Sequence, residues 1–151
     1  MSGGPESAAM MVRAATADDL PCLLAEEARA RAGGFILGND EATHRAMLTD
    51  PGIEYRVYVA PDGAWLGNVI LRGLDGPFRV IELKRIVVAA PGRGTGSAIM
   101  RDVMRHAFQT LGAHRLWLDS VGDNLRAHAV YRRLGFTQEG RVRDSILIHG
   151  A

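Results

Sequence analysis

The chain has a single cysteine, Cys22, so an intrachain disulfide cannot form and a four-cysteine zinc framework is excluded. That scarcity fits a reducing, cytoplasmic setting. No apolar run approaches the roughly 18 residues of a membrane-spanning helix, and the N-terminus lacks the basic-then-apolar order of a secretory signal. An excess of one charge is missing as well. With a formal net charge of +1, neither nucleic acid nor a membrane surface is the expected partner. His44, His106, His114, His128 and His149 show no ligand spacing, and no metal is expected. Internal repeats and low-complexity linkers are also absent.

What is present reads as one domain of alternating elements. Residues 1–9 are small and polar and are taken as a flexible leader, which leaves residues 10–151 as a single domain with enough length to bury a core. Met10 to Ala14 suits a short strand. Thr16 followed by Asp19 is a helix-starting capping pair, and Leu20, Leu23, Leu24 and Ala28 then repeat at helical spacing until Gly33-Gly34. Cys22 falls within this apolar stripe as a small buried side chain. Asn39 or Asp40 caps a second, shorter helix that Asp50-Pro51-Gly52 ends. Strands from Tyr55 to Ala60 and from Ala64 to Leu71 flank the turn Pro61-Asp62-Gly63, a hairpin pattern. Trp65 and Trp117 are expected to pack the sheet.

A fourth strand is expected over Arg79 to Val88, a helix over Thr95 to Leu111, and a fifth strand over His114 to Ser120. The helix puts Ile99, Met100, Val103, Met104, Ala107 and Phe108 on one face. Its length suits a right-handed crossover between parallel strands. Asp123 and Asn124 can cap a further helix to Leu134, with Gly135 as its left-handed stop. Ser145 to Ile148 is the last extended segment. The run Leu83 to Val88 breaks apolar alternation, which is what a bulge in the fourth strand produces.

Between the fourth strand and its helix lies Gly92-Arg93-Gly94-Thr95-Gly96. Glycines at a helix N-terminus free backbone N–H groups for an anion, and Arg93 adds charge beside them. The turn does not match a nucleoside-triphosphate loop, because Lys followed by Ser or Thr is missing after Gly96. The dinucleotide spacing is incomplete too.

Three motifs in succession decide between the remaining readings. Glu82-Leu83-Lys84-Arg85-Ile86-Val87-Val88, then Gly92 to Gly96, then Asn124-x-x-Ala127-x-x-x-Tyr131-x-x-Leu134-Gly135-Phe136 together resemble the GNAT superfamily of acyl-CoA-dependent N-acyltransferases. Within it the chain looks most similar to bacterial members like the ribosomal-protein N-terminal acetyltransferases. The resemblance implies a mixed α/β (α+β) fold, with a mostly antiparallel sheet and a parallel, splayed pair of fourth and fifth strands flanked by helices. It also implies acetyl-CoA as co-substrate, with its pyrophosphate on Gly92, Arg93, Gly94, Thr95, Gly96 and Ser97. Its pantetheine arm would lie along Ile86, Val87 and Val88, where freed amides would polarise the thioester carbonyl. Asn124 matches a residue that contacts that arm or orients the site. Tyr131 matches the tyrosine that protonates the coenzyme sulfur, and Glu82 is the candidate base. GNAT proteins usually carry Gln or Arg where Pro91 stands, so this chain departs there, and the turn after Val88 is short.

Each assignment has a plainer counterpart. Glu82 either serves as base or pairs on the sheet with Lys84, Arg85 or Arg115; Tyr131 either acts as acid or fills the core. Glu26, Glu27, Asp40, Glu41 and Glu54 lie where the family builds its acceptor groove, as an acidic rim for a cationic amine or as solvated helix faces. The family usually ends on one further strand. This chain is expected to lack it, leaving the sheet truncated or completed by a second subunit, as a homodimer. The reading is an acetyl-CoA-dependent N-acetyltransferase acting on a primary amine in a ternary complex. The alternatives are a non-catalytic acyl-CoA-binding module and, more remotely, a nucleotide-binding domain.

Overall fold

The computed structural model describes residues 10–32, 38–90, 92–119 and 125–137. The leader, Pro91, Asn124 and the Ser145 to Ile148 segment lie outside the described residues, as does any completion of the sheet beyond them. Among the described residues five strands form one sheet in chain order: β1 (Met11–Ala14), β2 (Ile53–Val59), β3 (Trp65–Arg72), β4 (Val80–Val88) and β5 (Arg115–Trp117). Every neighbouring pair is antiparallel except β4 with β5, which is parallel, as expected for the mixed sheet. No helix among the described residues is long and apolar enough to cross a membrane.

On one side of the sheet lie α1 (Leu20–Ala32) and α2 (Glu41–Leu48). The Thr16 side chain accepts the Asp18 N–H, and the Thr16 N–H donates to the Asp19 carboxylate at 2.8 Å, so the capping pair starts a single 3-10 turn that leads into α1. Asp40, not Asn39, caps α2 by accepting the Thr43 N–H at 2.8 Å. Leu20 and Leu23 of α1 pack with Tyr55 and Ile70 as a small core. The stripe does not continue to Ala28, which is exposed; Glu27 takes the buried position, and Cys22 is half-buried.

The larger core lies under α3 (Thr95–Arg105), where Ile99, Met100 and Val103 meet Tyr58, Val69, Leu71, Ile81 and Leu83. Each fully buried aliphatic side chain contributes about 1.5–3 kcal/mol through the area it removes from water. The polar edge of α3 is anchored as well. Asp102 accepts from the Tyr58 hydroxyl at 2.7 Å and from the Arg56 guanidinium at 2.8 Å, which fixes the helix against β2. Beyond Arg105 the helix widens into a π turn, His106–Thr110, with the Leu111 N–H bonded to the His106 carbonyl. The wider turn leaves the 3.6-residue register, and Phe108, expected in the core, is 45% exposed.

Close packing of α3 depends on Gly67 in β3. A Cβ there would lie 2.6 Å from the Val87 carbonyl oxygen and 3.0 Å from Ile99 Cδ1. Neither the β4 backbone nor the helix can give way cheaply. Gly67→Ala is therefore expected to destabilise the fold by about 1–3 kcal/mol, read as a lower urea midpoint; an unchanged midpoint would show that α3 sits less tightly than these distances say.

Candidate functional site

The glycine turn delivers α3 with its first N–H groups open. Gly92 and Gly94 have φ of 89° and 82°, a region that side-chain-bearing residues rarely adopt. Gly94 is the N-cap and offers no side-chain acceptor, so the first intrahelical bond to it is the Ala98 N–H at 3.1 Å. The N–H groups of Thr95, Gly96 and Ser97 precede that bond at the positive end of the helix dipole. Thr95 is buried, and Gly96 faces Val88 so closely that a Cβ would lie 3.5 Å from Val88 Cγ2. Arg93 is exposed and makes no ion pair among the described residues. Turn and strand end are thus in contact, and an anion on the turn would lie beside β4.

The β4 strand carries the expected bulge. Ile70 pairs with Arg85 and Leu71 with Leu83, so Lys84 has no partner on β3. The extra residue reverses the parity of the strand. Ile81 and Leu83 before it, and Ile86 and Val88 after it, all pack into the α3 core, while Arg85 turns under α1. On the other edge, β5 pairs with Val80, Ile81 and Glu82 only. From Leu83 to Val88 the backbone of β4 has no strand partner on that side among the described residues. Pairing between the two strands therefore stops at Glu82, where the fifth strand ends, short of the span to Ser120 expected of it.

Glu82 lies opposite Arg72 in the strand register and accepts from the Arg72 guanidinium through Oε1. The plainer reading of Glu82 named Lys84, Arg85 or Arg115 as partner; the structure sets Arg72 beside it, because antiparallel pairing holds these two side by side on one face. Tyr131 stands on α4 (Leu125–Arg133) and packs against the α3 core, edge-on to Phe136 with ring centroids 6.1 Å apart. Burial pushes its hydroxyl pKa up, which holds it protonated at neutral pH. That hydroxyl has no hydrogen-bond partner among the described residues. Gly135, with φ of 104°, stops the helix as expected. Glu82 and Tyr131 are not bonded to each other, and alternation along β4 puts Glu82 on the face opposite the α3 core.

Unforeseen is a buried polar cluster beneath α1. Glu27, 1% exposed, accepts from the Arg85 guanidinium at 2.8 Å and from the Asn39 N–H at 3.0 Å, and it contacts His44 Nε2 at 2.8 Å. His44 Nδ1 lies 2.6 Å from the Tyr55 hydroxyl. Burial opposes the charge on Glu27, but His44 and Arg85 outweigh it and hold the carboxyl below its ordinary pKa. One signal for this burial was present: Glu27 is seven residues after Leu20 and four after Leu23, on the core stripe of its helix. The rest of the acidic rim is engaged differently. Glu26 pairs with Arg29, Glu41 with Arg45, and Glu54 with His106. Among the described residues no group of three or more His, Cys, Asp or Glu is arranged to hold a metal.

The profile of the Acetyltransferase (GNAT) family matches residues 38–136. The chain is 31% identical over 90 residues to the "Putative ribosomal N-acetyltransferase YdaF" of Bacillus subtilis, covering 59% of this chain and 49% of that one. To the spermidine N(1)-acetyltransferase of Escherichia coli it is 30% identical over 98 residues, 64% of this chain and 53% of the relative. It thus spans about half the length of the curated relatives it matches. Among solved structures it resembles the spermidine N-acetyltransferase of Vibrio cholerae in complex with CoA and spermine. The TM-score is 0.80 over 89% of this chain and 85% of that one, at 19% identity, a likeness of fold.

The Glu27–Arg85 pair makes a test of its own. Glu27→Gln leaves Arg85 buried without a counter-charge, an expected loss of about 3–5 kcal/mol near neutral pH. Because the folded carboxyl titrates below its unfolded value, its stabilisation is present above the ordinary carboxylate range and is lost as pH falls through the lowered folded pKa. The difference in urea midpoint between wild type and variant should narrow below about pH 4. A difference that stays constant into acid contradicts the pair.

Proposed function

The chain belongs to the Acetyltransferase (GNAT) family, and from that membership we propose that it transfers the acetyl group of acetyl-CoA to a primary amine, by direct attack with both substrates bound. The observation that carries this reading is the conjunction at β4: an uncapped, glycine-lined helix N-terminus beside the end of a strand whose backbone, from Leu83 on, has no neighbour toward β5 among the described residues. The donor set fits an acyl coenzyme. Three open N–H groups with Arg93 beside them suit a pyrophosphate, and the free edge along Ile86, Val87 and Val88 suits an extended amide-bearing arm.

Acetyl-CoA, when bound, supplies an activated acyl thioester. The chain's residues handle the protons. An alkyl ammonium has a pKa of about 10.4, so the acceptor must shed a proton before it attacks. Glu82 takes that proton, directly or through water; Arg72 occupies Oε1 and leaves Oε2 to act as acceptor. Backbone amides near Val87 and Val88 hold the carbonyl oxygen as charge develops on it. Tyr131 donates its proton to the sulfur as the C–S bond breaks and the N–C bond forms; burial, which raises its pKa, keeps it a neutral phenol. Asn124, outside the described residues, is assigned to the coenzyme arm on its place in the motif. The single cysteine suits a cytoplasmic setting.

The deciding experiment follows free coenzyme A across a panel of amines, with acetyl-CoA binding measured in parallel. Tyr131→Phe is expected to lower kcat by roughly 10²-fold or more while leaving acetyl-CoA affinity within about twofold of wild type. Coenzyme binding without thiol release from any amine would leave a non-catalytic acyl-CoA-binding module. Stabilisation by ATP or a dinucleotide, but not by acetyl-CoA, would overturn the reading altogether.

A further inference from the structure

We propose that Lys84 selects an acceptor carrying a carboxylate close to its amine, an inference that rests on the acetyl-transfer reading above. Around the bulge, the α1 side of β4 gathers three cations and two carboxylates: Arg72, Lys84 and Arg85 with Glu27 and Glu82. The carboxylates are taken, since Glu82 pairs with Arg72 and Glu27 with Arg85. Lys84 is the cation left over. It is half-buried, stands at the bulge without a strand partner, and makes no hydrogen bond or ion pair among the described residues. Burial first, then Arg72 and Arg85, pull its pKa below the ordinary lysine value, against the weaker opposite pull of Glu82 and Glu27.

Position gives this surplus charge a use. Lys84 lies on β4 between Glu82 and the Ile86 to Val88 segment, so the residue assigned to the acceptor's proton and the spare ammonium are two strand positions apart, on the order of 7 Å along the chain. The amine and carboxylate of an amino acid, each with one hydrogen bond outward, bridge a span of that order. A compact ammonium in a partly dry site holds such a carboxylate more strongly than a surface lysine would.

The same charges disfavour a polycation. Glu26, Glu41 and Glu54 are each in an ion pair, Glu27 is buried against Arg85, and Asp40 is committed to capping α2. Spermidine, which has several ammonium groups and no carboxylate, would find these acids occupied and Lys84 in its way. A free amino acid and a peptide beginning with acidic residues share the chemistry that Lys84 would recognise.

The test measures kcat/KM at saturating acetyl-CoA for glycine and β-alanine, their carboxamides, a peptide with acidic side chains at its second and third positions, and spermidine. Wild type is expected to favour carboxylate-bearing amines over the carboxamides by roughly tenfold or more, mainly through KM. Lys84→Met should bring that ratio to about one with the KM for acetyl-CoA held within about twofold, Lys84→Arg should retain it, and Lys84→Glu should move the preference toward spermidine. A better rate with the peptide or with the free amino acids identifies the source, and either supports the inference. An unchanged ratio in Lys84→Met at a melting temperature equal to wild type, or a wild-type preference for spermidine over every carboxylate-bearing amine, overturns it and leaves acetyl transfer standing. Absence of thiol release with any amine overturns both.

Discussion

One extra residue in β4 governs the candidate site. Without the bulge at Lys84, Arg85 would take the parity of Ile81 and Leu83 and be driven into the apolar core under α3, where an unpaired guanidinium costs several kcal/mol. With it, the apolar positions on both sides of the bulge face α3, and Arg85 swings beneath α1 to a carboxylate. The strand bends there, and a little before that point its pairing with β5 stops. An unpartnered strand edge is a liability in an ordinary sheet. Here it ends against a helix N-terminus with open amides, and the two backbone sets, unpaired among the described residues, adjoin each other.

The buried cluster beneath α1 is the counterpart of that bulge. Glu27 joins α1 to β4 through Arg85 and to α2 through His44, and His44 continues to Tyr55 on β2. Ionic groups rarely stabilise a fold more than well-packed apolar ones would, because removing them from water is expensive. Their effect here is directional, since a carboxylate with several donors accepts few alternative geometries. Across the sheet, Asp102 with Tyr58 and Arg56 does the same for α3. The helices that border the site are thus held by polar anchors as well as by packing.

Much of this was legible in the residues. Thr16 with Asp19, Gly135 and the hairpin turn are local signals, and local backbone geometry obeys them. The bulge was legible because Leu83 to Val88 fails strict alternation. The helix face from Ile99 to Ala107 also followed its period, until the π turn carried Phe108 outward. Three things were not legible. Arg72 as the partner of Glu82 depends on the register between two strands, Glu27 looked like a surface acid because its counter-charge lies fifty-eight residues away, and Lys84, the only lysine of the chain, was read only as a possible partner of Glu82.

The order of elements, the glycine turn and the succession of motifs from Glu82 to Phe136 were determined by the sequence alone, because periodicity, capping and left-handed glycines act over a few neighbouring residues. Which charges cancel was decided only by the tertiary structure. An ion pair needs two side chains within a few ångströms, and that distance is set by strand register and helix packing, neither of which is written at either residue. For this chain the difference falls on the site itself: the sequence names Glu82, Tyr131 and the glycines, and the fold leaves Lys84, beside two occupied carboxylates, without a partner among the described residues.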